Sequence, residues 1–389
     1  MKWEIVEIGQ LGEVITGNTP PRKNPELYGD FIPFIKPTDM EIDRRYTPTP
    51  EECYSELGFE KYRKSLIPQG ATCVVTIGSI GKKMSQACCD CFINQAVNAV
   101  IPNENYDKNY VYYLLKNNLG KVKGLNSGTS SGRENVSKSS FSGIEIKVIK
   151  HLHTQRRIAS ILSAYDDLIE NNLMRIKLLE EKALLRYKQI VKKEKLEEYT
   201  IEDICDTLGG GTPATGNPNF WNDGDVLWFS PTDLTKNNSI VLIDSEKKIT
   251  DLGLQKSSAK LVPPKTILMT SRASIGYFGL INKPASTNQG FINIIPFNKN
   301  HKAYMLFDLK NRKEEIIGNA NGSTFLEISK GNFRQMKIKI PKDEKVLIDF
   351  EMEFKIVFNL IENLLKQNTK LRGARDILLP RLMNGQLEV

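Results

Sequence analysis

The segment Cys88-Cys89-Asp90-Cys91 places three thiols and a carboxylate within four residues. A structural zinc site needs four Cys or His ligands, which usually come as two pairs at short spacing. The 389-residue chain contains six cysteines and three histidines, and no second pair at such a spacing completes the set. The sequence therefore favours reduced, mostly buried thiols over a metal site.

The other residues with catalytic potential lack their usual companions. His151, His153 and His301 have no neighbouring Cys or Ser in a recognisable nucleophile setting, and no phosphate-binding G-x4-G-K-[ST] loop occurs. The Glu145-Ile146-Lys147 triplet resembles half of a metal-dependent nuclease signature. A strand with one solvated face also explains its alternation, so we expect a protein that is not an enzyme.

The charge balance gives a weak indication of the partner. Lys and Arg number 54 against 46 Asp and Glu, a formal net charge of +8, which mildly favours a polyanion. The sequence contains no run of about 18 apolar residues that could span a membrane. The N-terminal segment "MKWEIVEIGQLGEV" carries acids where a signal peptide needs an apolar stretch, so we expect a cytoplasmic protein.

The chain is internally duplicated. The phrase "LIEN" occurs at residues 168–171 and again 192 positions later, at residues 360–363. Other matches keep the same order at offsets of 192 to 195, which indicates duplication of one unit. These matches are Thr19-Pro20 with Thr212-Pro213, Pro37-Thr38-Asp39 with Pro231-Thr232-Asp233, Ser79-Ile80-Gly81 with Ser274-Ile275-Gly276, Asn94-Gln95 with Asn288-Gln289, and Ser137-Lys138 with Ser329-Lys330.

Each repeat begins with a stretch of short predicted strands and dense Gly, Pro and Asn punctuation. Strands running into turns are predicted at residues 71–81 and 265–276, and period-two strands at residues 143–149 and 336–340. Short helices are predicted at residues 110–117 and 304–311. The predicted class is α+β, with two similar globular domains at residues 1–150 and 196–341.

Each globular domain is followed by a long helical region, at residues 151–195 and 342–389. Residues 154–191 lack Gly and Pro, and apolar residues recur there with a heptad rhythm. The same rhythm returns 192 positions later, so we expect the two helices to form an antiparallel coiled coil and the repeats to be related by pseudo-two-fold symmetry. The alternative is that each helix lies on its own globular domain. The predicted seam residues are Ile158, Leu162, Tyr165, Ile169, Ile176, Leu179, Phe350, Phe354, Val357, Ile361, Leu364 and Leu371, with Asn172 and Asn368 as polar interruptions.

This organisation resembles the specificity subunit of Type I restriction-modification enzymes along essentially the whole chain. The phrases that carry the resemblance are Thr19-Pro20, Thr212-Pro213, Gly322-Ser323-Thr324, residues 155–159 ("QRRIA") and the C-terminal "ILLPRLMNGQLEV". The resemblance implies two target-recognition domains, each reading one half of a bipartite, asymmetric site in double-stranded DNA. It also implies that the helices set the spacer between the half-sites.

The resemblance further implies that the chemistry belongs to partner subunits. Two methyltransferase subunits would dock on the helical regions and bring S-adenosylmethionine, while restriction subunits would bring ATP-driven activity, with Mg²⁺ also on the partners. No cofactor is expected on this chain.

The duplication offers a rule for finding the residues that read DNA. Because the two half-sites differ, residues shared by both repeats are expected to be scaffold, and Asn94-Gln95 and Asn288-Gln289 fall in that class. Basic residues beside shared motifs that differ between the repeats are the candidate DNA contacts. For each of them the alternative is a solvated surface charge. The candidates are Arg22, Lys23, Lys36, Lys82, Lys83, Arg133 and Arg272.

Two other functions remain open from the sequence. The chain could be a coiled-coil scaffold whose globular heads bind protein partners, or an enzyme in its own right. Steeply salt-dependent binding to duplex DNA separates the first of these from DNA reading, because phosphate contacts weaken with salt.

Overall fold

A computed structural model of the chain describes residues 3–47, 49–125, 135–322 and 326–389. The chain forms two compact units. Unit 1 consists of Met1–Asn171 with Asn368–Val389, and unit 2 consists of Asn172–Gln367. Each unit therefore combines one globular part with a segment of both long helices.

Unit 1 contains a two-stranded pair, β1-β10, and two four-stranded sheets in the orders β2-β9-β6-β7 and β3-β5-β4-β8. Between the strands that the structure describes in unit 1, all pairings are antiparallel except β4 with β8. The strands are β1 (Trp3–Glu7), β2 (Gly12–Thr16), β3 (Tyr28–Gly29), β4 (Ile32–Ile35), β5 (Glu52–Tyr54), β6 (Thr72–Val75), β7 (Met84–Gln86), β8 (Phe92–Ile93), β9 (Val97–Pro102) and β10 (Glu145–Ile149).

Unit 2 contains the pair β11-β20, a five-stranded sheet in the order β12-β19-β16-β17-β14, and a three-stranded sheet in the order β15-β13-β18. The β13-β18 and β14-β17 pairings are parallel. The strands are β11 (Leu196–Thr200), β12 (Cys205–Gly209), β13 (Val226–Phe229), β14 (Val241–Leu242), β15 (Lys247–Ile249), β16 (Ile267–Thr270), β17 (Phe278–Ile281), β18 (Ala285–Thr287), β19 (Phe291–Pro296) and β20 (Lys337–Pro341).

The two units repeat one topology. In each unit, one sheet contains an antiparallel series of four strands, β2-β9-β6-β7 in unit 1 and β12-β19-β16-β17 in unit 2. A second sheet contains one parallel pair, and two further strands form a separate pair. The predicted period-two strands are β10 and β20, whose alternate residues are buried in the same pattern. The predicted α+β repeat is confirmed.

Short helices connect the strands in both units. The predicted helices at 110–117 and 304–311 correspond to two ten-residue helices, α2 and α9. The helices are α1 (Glu56–Tyr62), α2 (Lys108–Asn117), α3 (Leu119–Gly124), α4 (Lys138–Ser142), α5 (Leu152–Lys193), α6 (Ile201–Ile204), α7 (Pro231–Lys236), α8 (Asp251–Gln255), α9 (Lys302–Asn311), α10 (Lys313–Gly318), α11 (Lys330–Gln335) and α12 (Glu344–Met383).

The long helices α5 and α12 pair antiparallel within each unit. In unit 2, Asn172 Nδ2 lies 3.5 Å from Gln367 Oε1, and Arg186 Nε donates to Glu353 Oε2 at 3.1 Å. Residue numbers thus rise along one helix as they fall along the other. In unit 1, Ile158 and Leu162 of α5 share one apolar core with residues near the end of α12.

The seam residues lie mostly inside these cores. Nine of the twelve predicted positions are buried, whereas Tyr165, Leu179 and Leu371 are half-buried. Asn172 and Asn368, the predicted polar interruptions, are also buried. The cores also include side chains of the globular part. In each unit the two helices therefore pack against each other and against the globular part of the same unit. The predicted antiparallel pairing of the two long helices is therefore confirmed.

Candidate functional site

In unit 1, two tyrosine hydroxyls hold the loop that follows β2. Tyr28 Oη donates to the carbonyl of Pro20 at 2.6 Å, and Tyr54 Oη donates to the carbonyl of Asn18 at 2.8 Å. Each bond satisfies a loop carbonyl and fixes its direction. The side chains of residues 21–24 are thereby presented from a fixed backbone.

In unit 2, two tryptophans hold the corresponding loop. Trp221 Nε1 donates to the carbonyl of Ala214 at 3.1 Å, and Trp228 Nε1 donates to the carbonyl of Gly211 at 2.9 Å. The two indoles contact each other edge to face, with ring centroids 5.1 Å apart. Different aromatic residues therefore fix the same loop in the two units.

The shared Asn-Gln dipeptides complete this scaffold. The hydroxyl of Thr19 donates to Gln95 Oε1, and the hydroxyl of Thr212 donates to Gln289 Oε1. The asparagine of each dipeptide accepts from the backbone N–H two residues later, at 3.1 Å in unit 1 and 2.8 Å in unit 2. Identical contacts in both units support the interpretation that these residues are structural.

The carboxylate of the shared Pro-Thr-Asp motif connects two chain segments by hydrogen bonds in each unit. Asp39 accepts from the backbone N–H of Lys36 at 2.7 Å and from that of Glu51 at 3.1 Å. Asp233 accepts in the same way from the backbone N–H groups of Ser230 and of residue 246, both at 2.7 Å. Lys36 and Ser230 thus occupy the same backbone position and differ only in side chain.

Arg22 and Lys36 meet at one carboxylate that the sequence analysis missed. Arg22 donates from both terminal nitrogens to Glu52, at 2.6 and 3.0 Å, and its guanidinium lies 4.8 Å from the ring centroid of Tyr28. Lys36 Nζ lies 3.3 Å from Glu52 and 3.0 Å from Glu51. We call Arg22, Lys36 and Glu52 the charged triplet.

The electrostatics keep the charged triplet ionised. The hydrogen bond from Arg22 lowers the pKa of Glu52, and it outweighs the opposing effect of burial. Burial acts to lower the pKa of Lys36, but hydrogen bonds to Glu51 and Glu52 raise it overall. Arg22 is largely exposed, with 65% of its side chain accessible, so it can reach a ligand while Glu52 orients it.

The turn at the Ser-Ile-Gly motif is also shared by the two units. Arg272 lies at this turn in unit 2, and Lys82 and Lys83 lie at it in unit 1. Arg272 bridges to Glu327 through the backbone, where its counterpart Ile77 bridges to Asn135. The Arg272 side chain is half exposed, and its Nε lies 3.6 Å from Glu327 Oε2. Lys83 Nζ donates to the carbonyl of Pro37 at 2.8 Å, which joins this turn to the segment that carries Lys36.

The remaining candidates are less constrained. Lys23 and Lys82 are exposed. Arg133, together with Ser323 and Thr324 of the Gly-Ser-Thr phrase, lies outside the described residues. Of the seven predicted contacts, the structure therefore links Arg22, Lys36 and Lys83 in unit 1 and places Arg272 separately in unit 2.

A further basic edge was missed by the sequence analysis. Lys61, Arg63 and Lys64 line a concave surface of about 440 Å³ at the end of α1, with Glu60, Tyr62 and Ser65. Asn18 Nδ2 donates to Ser65 Oγ at 2.8 Å, so this edge adjoins the held loop. The sequence shows three cationic residues within four positions here, but the comparison of repeats did not select them because no shared motif lies beside them.

The structure gives no sign of metal chemistry in the part of the chain that it describes. Among those residues, no three His, Cys, Asp or Glu side chains come together as metal ligands. The thiols of Cys73 and Cys91 are buried, and burial raises the pKa of each, to about 12 for Cys73. Across the described ranges, no helix is long and apolar enough to cross a membrane.

The family comparison matches both repeats. The family described as "Type I restriction modification DNA specificity domain" matches residues 1–181 and again residues 193–370. A crystal structure of a Type-I restriction-modification system S subunit from M. genitalium shares the fold, with a TM-score of 0.59 and 16% sequence identity. The alignment covers 98% of this chain and 96% of that one.

Two curated relatives carry similar descriptions. The specificity subunit of the Type I restriction enzyme MjaIX from Methanocaldococcus jannaschii is 36% identical over 176 residues, 43% of this chain and 39% of that protein. The specificity subunit of HindI from Haemophilus influenzae is 32% identical over 194 residues, 49% of this chain and 41% of that protein. The chain thus spans less than half the length of these two relatives in the matched regions.

Proposed function

The chain belongs to the family of Type I restriction modification DNA specificity domains, and we propose that it is the sequence-reading subunit of a Type I restriction-modification complex. Unit 1 and unit 2 each read one half of a bipartite, asymmetric site in double-stranded DNA. The helices α5 and α12 set the unread spacer and dock the partners.

One observation supports this proposal above the others. The same loop and the same turn are held in both units by matching contacts, yet the side chains that they present differ. Lys36 stands where unit 2 has Ser230, and Arg272 stands where unit 1 has Ile77. A common scaffold with different polar groups on it is what two readers of different base sequences require, because sequence is read by hydrogen bonds to base edges.

In this proposal the chain performs no chemical step itself. Two methyltransferase subunits bind S-adenosylmethionine and modify adenine, and restriction subunits use ATP and Mg²⁺. The contribution of this chain is to bind and orient DNA. Its cations contact phosphates, and its fixed loops align a few side chains with the bases.

Mapping of adenine methylation in the host tests the proposal. Deletion of the gene is expected to abolish methylation at one bipartite motif with a fixed unread gap, and the wild-type gene on a plasmid is expected to restore it. An unchanged methylation map, or loss of an uninterrupted motif, contradicts the proposal.

Binding measurements give an independent test. The chain with its methyltransferase subunits is expected to bind duplex DNA with an affinity that falls steeply as salt rises, because phosphate contacts release counterions. Binding to a protein partner with no measurable affinity for DNA favours the scaffold function instead.

A further inference from the structure

The two held loops can be aligned residue by residue. Residues 19–30 read "TPPRKNPELYGD" and residues 212–223 read "TPATGNPNFWND". Both loops make the same turn, since Asn24 N–H donates to the carbonyl of residue 21 at 3.0 Å and Asn217 N–H donates to that of residue 214 at 3.2 Å. Arg22 therefore corresponds to Thr215 in unit 2.

Strand register supplies a second correspondence. In unit 1, Phe34 of β4 pairs with Glu52 of β5. In unit 2, Trp228 of β13, which lies 194 positions after Phe34, pairs with Lys247 of β15. Glu52 therefore corresponds to Lys247, a reversal of charge at one backbone position.

The three positions of the charged triplet thus all change between the units. Arg22, Lys36 and Glu52 in unit 1 correspond to Thr215, Ser230 and Lys247 in unit 2. Both sets carry a formal charge of +1, but the residue type differs at each of the three positions.

A conserved feature links the two sets. In unit 1 the Arg22 guanidinium lies 4.8 Å from the ring centroid of Tyr28. In unit 2 the Lys247 ammonium lies 5.7 Å from a ring centroid of Trp221, which corresponds to Tyr28. One cation covers the aromatic ring in each unit, but the loop supplies it in unit 1 and the strand supplies it in unit 2.

We propose that these three matched positions determine which bases each unit prefers. In unit 1, Arg22 contacts guanine, and Glu52 and Lys36 act as positioning residues for it. Guanidinium has five N–H donors, and the bidentate contact with Glu52 uses two of them, so three remain for the O6 and N7 acceptors of a guanine. In unit 2, the ammonium of Lys247 takes the role of the base contact.

This inference rests on the proposed function, and a transplant within unit 1 tests it. The variant Arg22→Thr, Lys36→Ser, Glu52→Lys gives unit 1 the residues of unit 2 without changing the net charge. In a strain that lacks the natural gene, its adenine methylation map is compared with that of the wild-type gene. We expect the half-site of unit 1 to lose its preference for a G·C pair by about tenfold or more, while the other half-site and the gap stay the same.

The outcomes separate the two proposals. If the wild-type gene produces no bipartite mark, the proposed function fails. If it does produce the mark and the folded variant leaves both half-sites unchanged, the charged triplet is a surface ion-pair cluster only and the inference is overturned. A change confined to the half-site of unit 2 also overturns it.

Single variants keep the test decisive if the triple variant does not fold. Arg22→Lys retains the charge but loses the bidentate geometry, and Glu52→Gln retains an acceptor but loses the charge. Both are expected to relax preference at the same base pair as the transplant. The matched control is Thr215→Arg in unit 2, which is expected to alter only the other half-site. Unchanged motifs in all three variants contradict the inference.

Discussion

The junction between the helix pair and the globular head is built from similar chemistry in both units, but at different positions. In unit 1, the buried carboxylate of Asp166 on α5 accepts from Tyr113 Oη at 2.6 Å and from Arg375 Nη1 at 2.5 Å. Asp166 and Arg375 are both almost fully buried. The tyrosine comes from the head, and the arginine comes from α12.

In unit 2, the positions are reversed, because the carboxylate lies on the globular part and the tyrosine lies on α5. Asp308 on the head helix α9 accepts from Tyr187 Oη of α5 at 2.8 Å and from Arg312 Nη1 at 3.0 Å. Arg312 also forms a bidentate contact with Glu315 at the surface. We call each set of aspartate, tyrosine and arginine a trio. In the trio of unit 2, the arginine belongs to the globular part and is partly exposed.

The offsets of the duplication show that neither trio is preserved in the other unit. The counterparts of Asp166, Tyr113 and Arg375 are Phe358, Phe307 and Ala183, and those of Asp308, Tyr187 and Arg312 are Leu114, Leu379 and Asn118.

The backbone of the repeat therefore accommodates either apolar or polar side chains at each of these sites. A buried carboxylate requires hydrogen bonds and an opposite charge wherever it lies. In these two trios, each unit meets that requirement with one tyrosine and one arginine. At these sites the repeat therefore conserves the backbone, while the buried side chains differ in chemistry.

The largest effect is expected from Arg375→Ala. The substitution leaves Asp166 buried with only the Tyr113 hydroxyl, so unit 1 should lose about 3–5 kcal/mol of stability. Amide hydrogen exchange of strand β9 in unit 1, compared with β19 in unit 2, measures this loss in each unit separately. A loss below about 1 kcal/mol would show that the ion pair has little structural role.

The matched control replaces the whole trio. Tyr113→Phe, Asp166→Phe and Arg375→Ala together install the residues of unit 2, and exchange in β9 should return close to the wild-type level. Exchange of an ion pair for apolar groups of similar volume is often neutral or stabilising. A combined variant as unstable as Arg375→Ala alone would contradict the claim that the two fillings are interchangeable.

A smaller effect is expected from Arg312→Ala in unit 2. Asp308 keeps the hydrogen bond from Tyr187 and lies nearer to solvent, so the loss should be about 1–3 kcal/mol. Amide hydrogen exchange of strand β19 measures this loss of stability. The comparison fails if unit 2 loses more stability than unit 1 loses on Arg375→Ala.

The smallest effect is a pH dependence confined to unit 2. Burial raises the pKa of Asp308 above its ordinary value of 3.8, despite the opposing effects of Arg312 and Tyr187. The folded state therefore holds the proton more tightly than the unfolded state. The resulting stabilisation is complete below pH 3.8 and is lost as the pH rises through the raised pKa.

Asp308→Asn removes this titration. Urea denaturation followed by tryptophan fluorescence, which in unit 2 reports on Trp221 and Trp228, should show wild-type stability falling relative to the variant as the pH rises from about 4 to about 7. The opposite slope would mean that Arg312 dominates and that the pKa is lowered.

Much of the fold follows from the sequence because duplication and period are both local patterns. The α+β repeat, the period-two strands β10 and β20 and the antiparallel long helices were all predicted. The buried trios were not predicted. Arg375 and Asp166 fall beside the heptad seam, where charged residues usually face solvent, and they are enclosed by contacts with α2 and with the segment at Asp43.

The candidate site was predicted in part for a similar reason. Arg22 and Lys36 stand next to motifs that both repeats share, so the comparison of repeats found them. Glu52 and Lys247 have no such neighbours, and their equivalence appears in the structure, from the strand register and from the matching contacts of Asp39 and Asp233. The role of Glu52 depends on a contact across 30 residues, which no local pattern specifies.

The affinity of the assembled complex for four duplexes tests whether the two matched scaffolds read two different half-sites independently. These carry both half-sites, either half-site alone with the other scrambled, or neither. We predict that wild-type protein discriminates against each scrambled half, and that Arg272→Ala weakens discrimination in the half read by unit 2 alone. Equal weakening of discrimination in both halves, or none in either, would contradict the account.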